Sequence, residues 1–171
     1  MEDQNARPEF SRGATVEDLI ELCRHLNNAG ARYVVIGGFA MIHHGYTRGT
    51  NYIDLLIDTS ADNIGRIKIA LLNLPDQAIR EVKPEEITQY QVVRIADEFV
   101  VDLMARACSV MFEPAADHIE FAEIDGVAIP SLKPEILIQT KDTYRPIDAA
   151  DRAYLRELMN REKKASSKKP W

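Results

Sequence analysis

Two glycines and two aspartates in this 171-residue chain have the types and settings that phosphate and metal chemistry needs. Gly37-Gly38 follows the run Tyr33-Val34-Val35-Ile36, short, apolar and β-branched, which reads as a buried strand ended by a glycine turn. A turn of this kind leading into a helix lets a phosphate approach the backbone, where the helix start offers free N–H groups and partial positive charge. Glycines also serve the geometry of ordinary strand-to-helix turns, so alone they do not choose. Asp54 stands in the run Tyr52–Ile57, and Asp102 interrupts Phe99-Val100-Val101-Asp102-Leu103-Met104. A carboxylate in so apolar a strand requires a cation or a hydrogen-bond donor. Strand side chains alternate, which puts Tyr52, Asp54 and Leu56 on one face and Ile53, Leu55 and Ile57 on the other. Two carboxylates converging from neighbouring strands make a hard-oxygen site suited to Mg²⁺.

The elements that must position these residues follow from periodicity and punctuation. Thr15 caps a helix in which Val16, Leu19, Ile20, Cys23 and Leu26 recur at helical spacing, until Asn27, Asn28 and Gly30 end it. After the first strand, Phe39 to His44 reads as a short helix closed by Gly45. A second strand covers Tyr52 to Ile57. A helix capped by Thr59 or Ser60 then runs through Ile64, Ile67, Leu71 and Leu72 to near Pro75. Strands near Gln91–Ile95 and Phe99–Ala105 form a hairpin about Ala96-Asp97-Glu98, and a second hairpin turns at Asp125-Gly126. Pro134 opens a helix running to about Tyr144, and a last helix after Pro146 carries Ala150, Tyr154, Leu155 and Leu158. The order predicts a mixed α/β (α+β) domain, a central sheet with helices packed on it and C-terminal helices. The expected boundaries are a flexible N-terminus over 1–13, one domain over 14–160 and a basic flexible tail over 161–171.

Composition narrows the class. Hydrophobic residues at 46% and charged residues at 28% fit neither a disordered chain nor a coiled coil. Cys23 and Cys108 are too few for a disulfide framework and lack metal-ligand spacing. No apolar run approaches the roughly 20 residues a membrane span needs, and the opening MEDQNARPEFSRG lacks a signal peptide's apolar stretch; the expected location is cytoplasmic, with no membrane partner. A net charge of −6 from 27 acidic and 21 basic residues argues against a nucleic-acid coat. The segment from Arg161 to Trp171 is net +4, which leaves about −10 on the first 160 residues.

Val35-Ile36-Gly37-Gly38-Phe39-Ala40, followed by His44-Gly45-Tyr46-Thr47-Arg48-Gly49-Thr50-Asn51-Tyr52-Ile53-Asp54-Leu55 and later by Val101-Asp102-Leu103, resembles the nucleotidyltransferase superfamily, whose fold is that of DNA polymerase beta. The likeness is nearest to small bacterial members, the minimal nucleotidyltransferases and the toxin-type abortive-infection nucleotidyltransferases. It extends to Lys141 and to Arg145-Pro146-Ile147-Asp148 with the following Asp151, and covers about Leu19 to Leu158. The resemblance implies transfer of an NMP from an NTP to a hydroxyl acceptor, with Mg²⁺ or Mn²⁺ as cofactor. It implies that Gly37 and Gly38 cradle phosphate and that Arg48, Thr50 and Lys141 steady the triphosphate. Asp54 and Asp102 would be metal-binding and catalytic, Asp102 helping to activate the acceptor hydroxyl. A protein or RNA acceptor and an antitoxin-like protein partner are further implications.

One position departs from the family pattern. The first aspartate of its Asp-hydrophobic-Asp pair falls at Tyr52, and a phenol with a pKa near about 10 is a poor Mg²⁺ ligand at neutral pH. Asp58 lies four residues past Asp54, roughly 13 Å along an extended strand, and cannot replace it. Three outcomes stay open: one metal bound with nucleotide, nucleotide binding without turnover, or an inactive nucleotide- or partner-binding pseudoenzyme. Tyr52 is expected to project into the same cleft as Asp54 and Asp102. His43 and His44 adjoin without a spaced partner and read as packing or capping residues rather than ligands. Asp148 and Asp151 could equally cap the last helix. Cys108 lacks the neighbouring base a nucleophile needs.

Overall fold

The computed structural model describes residues 11–168. Helix α1 (Val16–Asn28) begins with a reciprocal cap: Asp18 N–H donates to Thr15 Oγ1 at 3.2 Å, and Thr15 N–H donates to the Asp18 carboxylate at 2.8 Å. Its buried stripe is Leu19, Ile20, Leu22, Cys23 and Leu26. Strand β1 (Tyr33–Ile36) is buried throughout and passes directly into α2 (Gly37–His43). Strand β2 (Tyr52–Ile57) leads to α3 (Ala61–Leu71), capped by the Ser60 hydroxyl. After a 3-10 turn at Ala78–Glu81 come α4 (Pro84–Gln89) and the hairpin of β3 (Val92–Ala96) and β4 (Val100–Met104). A small ribbon, β5 (Arg106–Ala107) with β6 (Val110–Met111), and α5 (Phe112–Ala115) precede a second hairpin, β7 (Ile119–Ile124) and β8 (Val127–Leu132). Helix α6 (Pro134–Leu137) continues as a 3-10 turn to Lys141, and α7 (Pro146–Ser167) ends the described chain.

Six strands form one mixed sheet in the order β3-β4-β2-β1-β8-β7. The β2–β4 and β1–β8 pairs are parallel and the others antiparallel. One face, carrying Val35, Ile53, Leu55, Ile57 and Val101, packs against α1 and α3. The other face, carrying Val34, Ile36, Leu56 and Leu132, packs against Ala40 and Met41 of α2, Leu137 of α6 and Leu155 of α7. The mixed α/β architecture is therefore the expected one.

Several boundaries differ from expectation. The helix opened by Pro134 stops well short of Tyr144: Asp142 has φ −80° and ψ 69°, and Arg145 is extended, as a residue before proline must tend to be. Helix α7 runs seven residues past position 160, so 161–167 are helical although exposed. Of the N-terminal segment, residues 1–10 lie outside the described residues, while Ser11 and Arg12 are tied to the β3–β4 turn. Ser11 Oγ donates to the Asp97 carbonyl at 2.7 Å and Arg12 N–H to the Glu98 carbonyl at 2.9 Å. Residues 169–171 also lie outside. Among the described residues, no helix is long and apolar enough to cross a membrane.

Candidate active site

Sheet register brings the carboxylates together. In the parallel β2–β4 pair Asp54 stands opposite Asp102, and in the antiparallel β3–β4 pair Arg94 stands opposite Asp102. Three charged residues thus cross three adjacent strands, one strand spacing of about 4.8 Å apart. Arg94 supplies the cation that a buried Asp102 requires: Nε donates to Oδ1 and Nη2 to Oδ2, both at 2.9 Å, a planar two-point fork. The same guanidinium lies over the Tyr52 ring, 4.4 Å from its centroid, a cation–π contact.

Asp54 is held differently. Burial, then the charge of Asp102, pushes its carboxyl up to about 7, against the opposing pull of Lys141, Arg94 and Arg48. The group lies deep among protein atoms yet keeps part of its surface on the cleft, where water moderates the shift. An unfolded aspartate titrates near about 3.9. Between there and about 7 the folded chain holds a proton that the unfolded chain has released. Stability contributed by this group therefore falls as pH rises from about 4 to about 7 and is level above. Urea unfolding across that range should show the slope in the native chain and its loss in Asp54→Asn.

Both glycines make room for site side chains. Gly37 has φ +69°, and a Cβ there would fall 2.0 Å from Asp54 Oδ2. A Cβ on Gly38 would fall 2.5 Å from Thr50 Cβ and 2.6 Å from its Oγ1. The space these glycines leave is thus taken by Asp54 and Thr50, a use that a strand-turn-helix reading alone does not supply. Gly37→Ala should cost about 1–3 kcal/mol through its left-handed backbone and should also displace the Asp54 carboxylate. Chemical denaturation measures the first effect, and the pH slope described above reports the second.

A basic wall faces the carboxylates. Asp151, fully buried on α7, accepts from Arg48 Nη2 and Lys141 Nζ, both at 2.9 Å, through one oxygen. Two cations share one anion, so the triad carries net positive charge. Lys141 is itself buried, and its carbonyl accepts from Arg152 Nη1 and from Thr143 N–H. Thr50 Oγ1 donates to the Tyr52 carbonyl at 3.2 Å, which fixes the loop leading into β2. Near the rim, Asp148 accepts from Thr143 Oγ1 at 2.5 Å, with Arg145 Nε 3.8 Å away. Arg48, Thr50, Lys141, Arg145 and Asp148, with the two glycines and the facing carboxylates, line a cavity of about 560 Å³, within the size range of small-ligand sites; Asp151 lies behind it.

The residues that the family resemblance assigns to metal and phosphate, and the position that departs from its pattern, all line this cavity: Gly37, Gly38, Arg48, Thr50, Tyr52, Asp54, Asp102 and Lys141. Tyr52 stands on the cleft side of β2, as alternation requires. Asp151 does not cap α7; it lies inside the helix and holds the two cations. Asp148 sits in the first turn of α7 but bonds Thr143. Arg94 is the residue that sequence reasoning missed, although the need of Asp102 for a cation and the facing hairpin strand together pointed to it. His44 Nε2 bonds the Leu132 carbonyl at 2.8 Å, so His44 packs on the sheet, whereas His43 is exposed and its Nε2 bonds the Glu120 carboxylate at 3.1 Å. Cys108 Sγ lies against the Thr140 carbonyl at 3.4 Å.

Comparison with solved structures agrees with this architecture. The chain superposes on the crystal structure of a candidate nucleotidyltransferase from Thermotoga maritima with a TM-score of 0.52 and 18% identity, over 85% of this chain and 92% of that one. A likeness at that identity is one of fold, and the chain has a nucleotidyltransferase-like fold. No family model and no curated protein matches the sequence.

Proposed function

We propose that the protein is a Mg²⁺-dependent nucleotidyltransferase that moves an NMP from an NTP to a hydroxyl acceptor. The observation that carries this reading is one cleft with two opposed chemistries: the in-register pair Asp54 and Asp102, and the net positive wall of Arg48, Lys141 and Asp151. The donor set fits a single hard cation. Two carboxylates offer oxygen ligands, and burial together with the neighbouring Asp102 charge pushes Asp54 towards its protonated form, a cost that a bound cation would relieve. Asp54 and Asp102 would hold Mg²⁺, whose bound charge would offset that of the phosphates.

The chain's own residues do the rest. Arg48 and Lys141, steered by Asp151, direct donors at the triphosphate, and Thr50 shapes the loop beneath it. Asp102, held in place by the Arg94 fork, orients the acceptor hydroxyl by accepting its hydrogen bond. In the transfer the acceptor oxygen bonds the α-phosphorus as its proton passes through the Asp102 hydrogen bond to solvent, the bond to the bridging oxygen breaks, and pyrophosphate leaves. Protein, RNA and small-molecule hydroxyls are all acceptors of suitable chemistry, and an antitoxin-like partner is proposed on the family resemblance alone.

A second reading has its own observation. Arg94 occupies Asp102 with both donors and stacks on Tyr52 at the position where the family pattern has an aspartate. On that reading the cleft binds nucleotide without turnover. Incubation with each labelled NTP, Mg²⁺ or Mn²⁺, and cell extract separates the two. Label in an acceptor supports transfer. Its absence both in the native chain and in Tyr52→Asp, with nucleotide binding retained, supports the second reading.

A further inference from the structure

At the end of α2 remote from the glycine turn, two histidines and a carboxylate converge. His43 is the last residue of α2 and His44 its C-terminal cap, while Glu120 comes from the edge strand β7. His43 Nε2 lies 3.1 Å and His44 Nδ1 3.6 Å from the same oxygen, Glu120 Oε1. One ligand atom from each of the three residues lies within 4.8 Å of the other two. We propose that His43, His44 and Glu120 form a binding site for a divalent transition-metal ion of the zinc type, separate from the cleft and independent of its function.

Three features of the geometry support this. Zinc bound tetrahedrally at about 2.0–2.1 Å sets its ligand atoms roughly 3.3 Å apart, and the two histidine-to-glutamate separations of 3.1 and 3.6 Å bracket that spacing. Two imidazoles on one such ion have ring centres about 5 Å apart; those of His43 and His44 are 4.8 Å apart, with the planes at 77°. The third feature is the tautomer. His44 Nε2 faces the Leu132 carbonyl at 2.8 Å. A carbonyl only accepts, so Nε2 donates to it, which leaves Nδ1 as the ring nitrogen that faces Glu120 and is available to a metal ion. A ring nitrogen held by a backbone carbonyl while the other faces outward is the support that metal-binding histidines use. His43 and Glu120 are partly open to solvent, with side chains 24% and 38% exposed, which gives an ion an entry path.

Two imidazoles and one carboxylate suit Zn²⁺, and water can complete the set. They suit Mg²⁺ poorly, since it prefers oxygen ligands. The ion would fasten the edge strand β7 to the end of α2. That end is also held from α7, where Tyr154 OH donates to the His44 carbonyl at 2.8 Å. Occupancy should therefore raise thermal stability.

The test is calorimetry of the full chain with ZnCl₂ in saturating Mg²⁺, which keeps the cleft carboxylates from competing. The proposal expects one equivalent of Zn²⁺, a rise in melting temperature on binding, and at least tenfold weaker binding in both His43→Ala and Glu120→Gln. Zinc-edge X-ray absorption of the loaded native chain should show two imidazole nitrogens, a readout that stands even if a variant folds poorly. Zinc binding that survives His43→Ala and Glu120→Gln combined, an oxygen-only zinc shell, or no zinc binding under these conditions would overturn it.

Discussion

Asp151→Ala should lower folding stability by about 3–5 kcal/mol, the range found when one partner is removed from a buried ion pair. The aspartate is fully buried, and the Lys141 and Arg48 side chains that it holds are 5% and 17% exposed. Without it two cations face each other with no anion between them. Arg48 has a loop to move into, but Lys141 sits in a 3-10 turn whose backbone is fastened by Arg152 and Thr143. Asp151→Asn keeps an acceptor oxygen while losing the charge, so it should fall between the native chain and Asp151→Ala. Urea midpoints of the three proteins measure the series. If the basic wall also binds phosphates, ATP-analogue affinity should weaken in the same order at a pH where each variant is folded.

The other large effect belongs to Tyr52. Tyr52→Asp places a third carboxylate on the face that carries Asp54, two residues away on one strand, and removes the ring from beneath Arg94. The lost cation–π contact costs about 0.5–2 kcal/mol, partly offset by charge attraction between the new carboxylate and Arg94. Mg²⁺ affinity should rise, because a further hard oxygen ligand joins the pair. Transfer, where present, should rise tenfold or more, about 1.4 kcal/mol in the barrier. Asp102→Asn should abolish turnover and leave Arg94 with a weaker acceptor. Mg²⁺ titration and initial rates on the two variants read these effects directly. A Tyr52→Asp chain that binds Mg²⁺ no better than the native one would count against a shared metal face.

Much of this arrangement was legible in the residues, because strong local signals set it. Four consecutive apolar residues before Gly37 define β1, and the Thr15–Asp18 cap starts α1. The alternation of Tyr52, Asp54 and Leu56 sends two of the site's side chains to one face. What local pattern could not supply was register and long-range pairing. The hairpin joining β3 and β4 pairs Ala96 with Val100, so that Arg94 meets Asp102. A turn over Ala96-Asp97-Glu98 would shift that pairing by two residues. The burial of Asp97, which accepts from the backbone N–H groups of Asp76, Ala78 and Glu98, is what fixes the turn. Asp151 lies 103 residues from Arg48 and Glu120 lies 77 from His43, and no periodicity links residues so far apart. The apolar spacing after Pro134 continues and so predicts a longer helix, whereas the structure turns Lys141 inward to Asp151 and breaks the helix there.

Calorimetry of a non-hydrolysable ATP analogue, with and without Mg²⁺, on the native chain, Asp54→Asn and Lys141→Ala tests the central claim most directly. A nucleotide site built from a carboxylate pair and a basic wall predicts binding that Mg²⁺ tightens at least tenfold in the native chain. In Asp54→Asn that tightening should be lost, and in Lys141→Ala affinity should weaken with or without the ion. Absence of nucleotide binding, or binding that neither Mg²⁺ nor either substitution alters, would contradict it.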